Sequence, residues 1–372
     1  MSGSPAAGPV IIAARRTPVR TARPPAVDPV DLAAPVLAAV RAELAGVGIT
    51  TVDDVVLGSA RGPGGNLARV SALAAGLGIE VPGVSVDRQC GSGLEALRVA
   101  AALVGSGAAE VVLAGGVESA SAATPGRAAF APPGFADPEM GAAAEELARI
   151  AGITRERQDA YALRSHRLSA AAQDDGRFAA ELVPAAGTTR DDRPRRRLTP
   201  ELLARIPAAF CPGGTVTAGN SCGISDGAAA LAVVSEPVAA GRPGLRIIAT
   251  AVAGVDPALP GLGPVPAIRN LVRSQGMSLD DVDAIEITEA FAAQLLACTD
   301  ALELDPLGAD AERICTEGGA IGLGHPWAAS GTLLMVRLFS RLVRRDGGRR
   351  GLAACAIGGG QGIAVLTERV GP

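Results

Sequence analysis

Short apolar segments with the pattern of buried strands alternate with helical segments along most of this chain. In its first part, strand patterns occur at residues 10–14, 55–58, 84–86 and 111–114, and helical patterns at 31–44, 66–77 and 94–104. Such alternation is typical of a sheet that lies between layers of helices. We therefore predict an α/β protein whose parallel strands are covered by helices on both faces.

The second part of the chain repeats this order of elements. Strand patterns recur at 228–235, 246–253, 284–288, 353–357 and 363–367, with helical patterns at 265–275, 291–302 and 330–344. In this repeat, His325 precedes the third helix at the place that Cys90 holds in the first part. Two equivalent helix starts are expected to converge on one cleft.

Residues 119–213 differ in character from both repeats. They contain loops rich in Ala, Pro and Gly, helical patterns at 140–150 and 155–174, and a polar, arginine-rich loop at 188–197. We expect an insertion over the sheet, with the arginine-rich loop and His166 in solvent; phosphate binding is the alternative role of that loop. The predicted units are a first half of 1–118 with 214–240, an insertion of 119–213, and a second half of 241–372.

Composition excludes several classes of function. The net charge of -4 provides no basic surface for nucleic acid, and no apolar run reaches the ~18 residues of a membrane span. The six cysteines form no Cys-x-x-Cys pair and there are only two histidines, which argues against a metal site. Widely spaced cysteines in a long chain without a signal peptide predict reduced thiols and a cytoplasmic location.

Cys90 lies between a strand pattern and an almost uncharged helical pattern that is apolar on nearly every face. A thiol at the start of a buried helix lies near unsatisfied N–H groups, which favour the thiolate and lower the pKa of the thiol. The alternative is that Cys90 is a small core residue, since free cysteines are often buried. This stretch by itself leaves both roles open.

Seven segments together resemble the thiolase family, and the resemblance covers essentially the whole chain. They are DRQCGSG at 87–93, GGVES at 115–119, GTVTAGN at 214–220, GISDGA at 223–228, EAFAAQ at 289–294, GGAIGLGHP at 318–326 and IGGGQG at 357–362. The resemblance implies the thiolase fold, in which duplicated βαβαβαββ halves form five layers, αβαβα, with a mainly helical and loop insertion.

The resemblance also implies a ping-pong reaction in which Cys90 takes an acyl group as a thioester and passes it to a second substrate. It implies that the N–H groups of Cys90 and Gly358 stabilise the oxyanion, that Thr288 holds a water, and that His325 polarises the thiol. The substrates would be coenzyme A thioesters, or carrier-protein thioesters, without a bound cofactor. Implied contacts to the substrate and coenzyme A are Met140, Phe210, Ala218, Cys222, Ile224, Ala290 and Phe291.

Four departures from the family pattern bear on the chemistry. The second catalytic cysteine of the family is replaced by Ala356, and Cys355, one residue earlier, is expected on the opposite face of the strand. Only a bulge would let Cys355 act as the acid/base. Thr288 replaces the usual Asn, Cys222 replaces the usual Ser, and the segment between Glu118 and Met140 is short. Since that segment builds the family's tetramer contacts, a homodimer is favoured over a tetramer.

The predicted function is an acyl-CoA C-acyltransferase of the thiolase type. One alternative keeps acyl capture by Cys90 but has a different second step, either decarboxylative condensation or transfer to another nucleophile, because Ala356 has no acid/base group. The other alternative is a non-catalytic scaffold with the same fold, which the presence of Cys90 and His325 opposes.

Overall fold

The computed structural model describes residues 8–124 and 126–371. Residues 1–7 and 372, which the sequence assigned to the two halves, and residue 125, which it assigned to the insertion, lie outside this description. The strands of the described residues are β1 (Val10–Arg16), β2 (Arg20–Thr21), β3 (Asp54–Gly58), β4 (Val84–Val86), β5 (Val111–Ser119), β6 (Ser225–Val234), β7 (Gly244–Gly254), β8 (Ala284–Ile287), β9 (Arg350–Ile357) and β10 (Gln361–Val370).

The helices lie between the strands, and three of them have five residues or fewer. They are α1 (Pro29–Gly46), α2 (Leu67–Ala74), α3 (Ser92–Gly105), α4 (Met140–Ala151), α5 (Arg155–Asp174), α6 (Pro200–Ala204), α7 (Glu236–Ala239), α8 (Pro264–Ser274), α9 (Ala292–Ala301), α10 (Ala320–Leu323) and α11 (Trp327–Phe339). A π-helical turn, Ser340–Arg344, extends α11.

Side-chain caps explain where several helices begin. The Asp28 carboxylate accepts a hydrogen bond from the Val30 N–H at the start of α1, and Asn66 accepts one from the Arg69 N–H at the start of α2. Both side chains satisfy N–H groups that have no partner inside the helix. The helical pattern predicted from residue 66 thus begins with Asn66 as its cap, and α5 has the predicted bounds.

The sheet is mixed, so the prediction of a parallel sheet is wrong in part. Strand order is β4-β3-β5-β6-β1-β7-β10-β9-β8, with β2 paired to β6. β3 pairs in parallel with β4 and β5, and β8 pairs in parallel with β9. The remaining pairs are antiparallel. A short glycine turn joins β9 directly to β10, and such a connection requires antiparallel neighbours.

The repeat predicted from the sequence is visible in this order. β1, β6, β5 and β3 lie side by side in the first half, and β7, β10, β9 and β8 do so in the second. A single parallel bridge between Ile285 and Ile314 stands where β4 would be expected. The two halves join where Val10 and Ile11 of β1 pair with β7.

Three hydrophobic clusters fill the layers. α3 and α11 supply the central cluster, which includes Leu97 and Leu338. α1 and α2 pack on the outer face of the first half, and α8 and α9 pack on that of the second. Helices and sheet faces therefore alternate as αβαβα, which confirms the predicted fold class.

The insertion is less solvated than predicted. His166 on α5 is buried, and its Nδ1 accepts a hydrogen bond from the Arg195 N–H at 3.3 Å. In the arginine-rich loop, Asp191 is buried and forms two hydrogen bonds with Arg16 of β1, at 2.7 and 2.9 Å. The expectation that His166 and the whole loop lie in solvent is wrong, because this loop folds back onto α5 and β1.

Candidate active site

Cys90 lies in a tight 3₁₀ turn, Gln89–Gly91, immediately before α3. Gln89 has a left-handed backbone, with φ of 48°, a conformation that costs about 1 kcal/mol for a residue with a side chain. Asp87 accepts a hydrogen bond from the Gln89 N–H at 2.7 Å. Ser92 accepts one from the Arg88 N–H at 2.8 Å and donates one to the Gln89 carbonyl at 2.6 Å. These bonds hold Cys90 at a strained turn, a feature common at functional sites.

His325 lies at the equivalent position before α11. It follows Gly324, whose φ is 115°, and its N–H donates to the Gly223 carbonyl at 3.0 Å. The imidazole Nδ1 is 2.6 Å from the Ser330 hydroxyl. Burial lowers the pKa of His325 to about 4, so the imidazole is neutral at pH 7.

The starts of α3 and α11 touch through their backbones. A Cβ atom placed on Gly93 would lie 2.7 Å from the Ala328 carbonyl oxygen, and one placed on Gly331 would lie 2.8 Å from the Leu94 nitrogen. Only glycine permits such an approach at these two positions. The structure thus brings together the two turns that carry Cys90 and His325.

The protonation of Cys90 differs from the sequence-based expectation. Burial raises the pKa of the Cys90 thiol well above its ordinary value, and the neighbouring Cys355, Cys222 and Glu118 add to this effect. The expected lowering of that pKa at the helix start is therefore wrong. Cys90 and His325 are both neutral at rest, so the thiol must pass its proton to a base as its sulfur attacks.

A glycine turn lies beside Cys90. Gly359 and Gly360 both have φ of 80°, which closes the connection between β9 and β10. A Cβ atom on Gly91 would lie 2.6 Å from Ile357, so the Cys90 turn packs against the residue that precedes Gly358. Phe130, which the sequence did not single out, covers this turn: its ring lies 2.9 Å from the Cβ position of Gly358.

Cys355 and Ala356 occupy opposite faces of β9. The pairing of β9 with β10 is regular from Arg350 to Ile357, without a bulge. The Cys355 thiol is buried and donates to the Cys90 carbonyl at 3.2 Å, whereas Ala356 is partly exposed. Burial raises the pKa of Cys355 to about 12, so this thiol is a core group behind the nucleophile.

The residues expected to contact substrate fall into two groups. Met140 begins α4 next to Phe210, whose ring packs on Gly141 and meets Phe291 edge to face at 5.7 Å. The second group surrounds His325 and contains Cys222, whose N–H donates to the Ala290 carbonyl at 3.0 Å, and Ile224, which forms a backbone bridge with His325.

The expected contacts Ala218 and Cys222 differ in exposure and in their charged neighbours. Ala218 is exposed on a turn. Burial raises the pKa of Cys222 to about 12, an effect that the nearby Arg193 guanidinium opposes. Arg193 donates to the Ile321 carbonyl at 3.3 Å, so one arginine of the polar loop reaches this side of the site.

Three polar residues near the site were not assigned a role from the sequence. Glu118 is buried and accepts hydrogen bonds from the N–H groups of Ala60, Arg61 and Ala328; burial raises its pKa to about 7. Ser330 contacts His325, and Glu286 lies two residues before Thr288 on β8. Two signals in the sequence could have identified Ser330 and Glu286. Ser330 lies in the helical segment that follows His325, and Glu286 is two residues before Thr288, so both point to the same face of a strand.

Within residues 8–124 and 126–371, no group of three or more His, Cys, Asp or Glu is arranged to hold a metal ion. The helices of the same residues include none that is long and apolar enough to cross a membrane.

Two family models match nearly the whole chain. The family model "Thiolase, N-terminal domain" matches residues 9–237, and "Thiolase, C-terminal domain" matches residues 242–369. The chain is 41% identical over 374 residues to an acetyl-CoA acetyltransferase of Escherichia coli, which covers 92% of this chain and 93% of that protein. It is 39% identical over 378 residues to a beta-ketoadipyl-CoA thiolase of Acinetobacter baylyi, with 91% and 93% covered.

A solved structure agrees with these relatives. The crystal structure of the Bacillus anthracis acetyl-CoA acetyltransferase matches with a TM-score of 0.90 and 38% identity, over 97% of this chain and 98% of that one. The fold and site thus define a duplicated α/β acyltransferase. The chain belongs to the thiolase family, and it is an acyl-CoA acyltransferase. These relatives do not favour the scaffold or the decarboxylative alternative.

Proposed function

We propose that this thiolase transfers short acyl groups, acetyl first among them, between coenzyme A thioesters through a thioester on Cys90. The observation that supports the proposal is the backbone contact between the starts of α3 and α11, the two helices that follow Cys90 and His325, together with the packing of Gly91 on Ile357 before the Gly358 turn. The names of the relatives from Escherichia coli and Bacillus anthracis support acetyl-CoA as a substrate.

In the first half-reaction, Cys90 attacks the thioester carbonyl while His325 takes the thiol proton. The N–H groups of Cys90 and Gly358 stabilise the oxyanion, and coenzyme A leaves as its sulfur is protonated. In the second half-reaction, the enzyme-bound acyl group passes to a second acyl-CoA, or to coenzyme A in the thiolytic direction. Thr288 is proposed to hold a water near the oxyanion, as the Asn of the family pattern does.

The arm of coenzyme A is proposed to lie between the two groups of contact residues. Met140, Phe210 and Phe291 offer an apolar surface, while Cys222, Ile224 and Ala290 lie beside His325. Ala218 lies on an exposed turn between them in the chain. Free coenzyme A thioesters are proposed as substrates in preference to carrier-protein thioesters, since all the named relatives carry coenzyme A in their names.

The decisive experiment is intact-protein mass measurement after incubation with acetyl-CoA. The wild-type chain should gain one acetyl group, and Cys90→Ala should gain none, whereas Cys355→Ala should still be acylated because its thiol faces the core. An adduct that persists in Cys90→Ala, or no adduct in the wild type with any short acyl-CoA, would refute the proposal.

We also propose a homodimer in the cytoplasm. β4 ends the sheet and has a neighbour on one side only. Apolar Ile79, which precedes β4, and Val84, the first residue of β4, are 84% and 42% exposed. An apolar sheet edge is a common self-association surface. All six cysteines are free thiols, which supports a reducing compartment.

A further inference from the structure

A cavity of about 30 Å³ lies next to His325, since Gly324 and Ser330 are among its lining residues. β8 and α11 form two of its walls, and the loop before His325 forms a third. Its polar lining residues are Arg16, Glu286, Thr288, Ser330 and Arg337, each of them at most 4% exposed. A space of this volume with polar partners has room for one water molecule.

The sequence period explains why these side chains meet. Glu286 and Thr288 are two residues apart on β8 and its end, so they point to the same face. Ser330 and Arg337 are seven residues apart on α11, which places them on one side of the helix, two turns from each other. Ser330 also contacts His325, because its hydroxyl is 2.6 Å from the imidazole Nδ1. One wall of the cavity is therefore continuous with the imidazole.

Polar atoms of this cavity have no hydrogen-bond partner among the described residues. They include Glu286 Oε2, Thr288 Oγ1 and Arg337 Nε. Thr288 also lies near the Cys355 thiol, whose pKa it lowers. An unpartnered buried polar atom costs about 1–3 kcal/mol, more if charged, and a bound water would satisfy several of these atoms at once.

We propose that Glu286 is a positioning residue that exchanges a proton with His325 through Ser330 and one water bound in this cavity. The proposal rests on the proposed function, in which His325 takes the Cys90 proton. When Nε2 gains that proton, the Nδ1 proton passes to Ser330 Oγ, the Ser330 hydroxyl proton passes to the water, and a water proton passes to the Glu286 carboxylate. One proton enters the chain and one arrives at Glu286, so the imidazole ends neutral. The reverse transfer returns the proton to the leaving group.

This proton transfer from His325 to Glu286, called the relay below, avoids a positively charged imidazole in a buried site. Burial lowers the pKa of His325 to about 4, so a buried imidazolium is unfavourable. Burial raises the pKa of Glu286 to about 7, which makes its carboxylate able to accept a proton near neutral pH. Ala356 has no titratable group, so position 356 cannot share these proton transfers with His325.

Other charges also act on Glu286, and burial raises the pKa of one of them, Glu289, as well. The positive groups are Arg337 and Arg341, which lower its pKa, and Arg16, which lines the cavity; Glu289 and Glu181 raise it, and Cys315 lies near it. The arginines keep their charge. Glu181 is paired with Arg16 at 2.9 Å, and its pKa is lowered by Arg337 and Arg16. Glu289 accepts hydrogen bonds from Tyr161 and Ser165, at 2.7 and 2.6 Å.

The test is the pH profile of Cys90 acylation in a single turnover with acetyl-CoA. In the wild type, the rate should fall tenfold per pH unit as the pH drops below about 7, because protonated Glu286 accepts no further proton. In Glu286→Gln this inflection should vanish, and the rate at pH 8 should fall at least tenfold. Ser330→Ala should behave alike, and the double variant should lose no more than either single variant.

Glu118→Gln is the matched control, since burial also raises the pKa of Glu118 to about 7 beside Cys90. It should keep the inflection. A thermal melt checks that each variant is folded; a purely structural role of Glu286 would lower the melting temperature and leave the inflection in place. An inflection that survives in both Glu286→Gln and Ser330→Ala, or that vanishes in Glu118→Gln alone, overturns the relay. No acyl adduct in the wild type would instead refute the proposed function.

Discussion

Two neighbouring residues of β9, Cys355 and Ala356, lie on opposite faces of the strand near Cys90. Ala356 is partly exposed and carries only a methyl group, while the buried Cys355 thiol donates to the Cys90 carbonyl. The one-residue step on a strand allowed this difference to be predicted, because side chains alternate between faces and the pairing has no bulge. The thiol that the family pattern places at position 356 therefore has no substitute on this strand.

We predict that Ala356→Cys raises the rate of thiolysis of a 3-ketoacyl-CoA by about 10²-fold, the lower end of what a general acid/base contributes. Steady-state assays with a short 3-ketoacyl-CoA would measure the gain. Cys355→Ala is the matched control: it should lose about 1 kcal/mol of stability through its core position and keep its activity within a factor of ten. No gain in Ala356→Cys would show that position 356 does not limit the reaction.

His166 supports a prediction about stability. Burial lowers its pKa to about 3, and Arg193 and Arg195 lower it further. As the pH falls below 6.5, the unfolded chain binds a proton that the folded chain does not, so the free energy of unfolding decreases until about pH 3. Glu118 and Glu286 have the opposite sign: their raised pKa values favour the folded state at low pH, and this contribution is lost as the pH rises from 4.5 through about 7.

Between pH 7.5 and pH 5, the free energy of unfolding of His166→Gln should therefore decrease by about 2 kcal/mol less than that of the wild type. The reason is that one proton bound only by the unfolded chain changes this free energy by about 1.4 kcal/mol per pH unit. Urea denaturation of the wild type and the variant at the two pH values measures this difference. The contributions of Glu118 and Glu286 cancel because both proteins contain these residues. Equal losses in both proteins would mean that His166 is protonated in the folded chain.

At the scale of elements, the contact between α3 and α11 positions the site. Most element positions were predictable because the apolar periods and the caps at Asn66 and Thr154 are local signals. The antiparallel placement of β6 was not, since β6 pairs with strands that precede it by about a hundred residues or more. For the same reason, the sequence did not indicate that Phe130 covers the Gly358 turn.

Gly93→Ala should separate the two helix starts. Its Cβ would lie 2.7 Å from the Ala328 carbonyl, a clash with backbone that costs roughly 1–3 kcal/mol as overpacking does. We expect acylation of Cys90 to fall at least tenfold, measured with acetyl-CoA by mass spectrometry. Gly105→Ala, at the end of α3 with nothing within 4 Å of its Cβ position, should instead gain about 0.5–1 kcal/mol and keep full activity. Equal activity in both variants would argue against a positional role for this contact.

At the scale of the whole molecule, the repeat could be predicted because both halves carry the same order of patterns and matching motifs. The cavity that contains Glu286 and Ser330 could not, because it depends on contacts between β8, α11 and the loop before His325. The burial of His166 was missed for a similar reason, since an insertion without regular strands gives no sign of where its loops return. The unit boundaries at 118, 213 and 240 remain our proposal.

The exposed edge at β4 carries the last prediction. Ile79→Glu combined with Val84→Glu should convert the proposed homodimer into monomers, because two charges would be buried without partners at the interface. Light scattering after size exclusion would report the mass. Leu202→Glu, at a 47% exposed position on α6 of the insertion, is the control and should stay dimeric. A monomeric wild type would contradict the proposal outright.

The nucleophile and the histidine stand at equivalent places in two copies of one structural repeat. A molecule built from two identical copies would therefore have presented the same residue twice, either two thiols or two imidazoles. A thiol at one position and an imidazole at the other require that both copies are encoded in one chain, where each can change independently. Each half expressed separately would contain one of the two reactive groups, and activity should return only when the two fragments are combined.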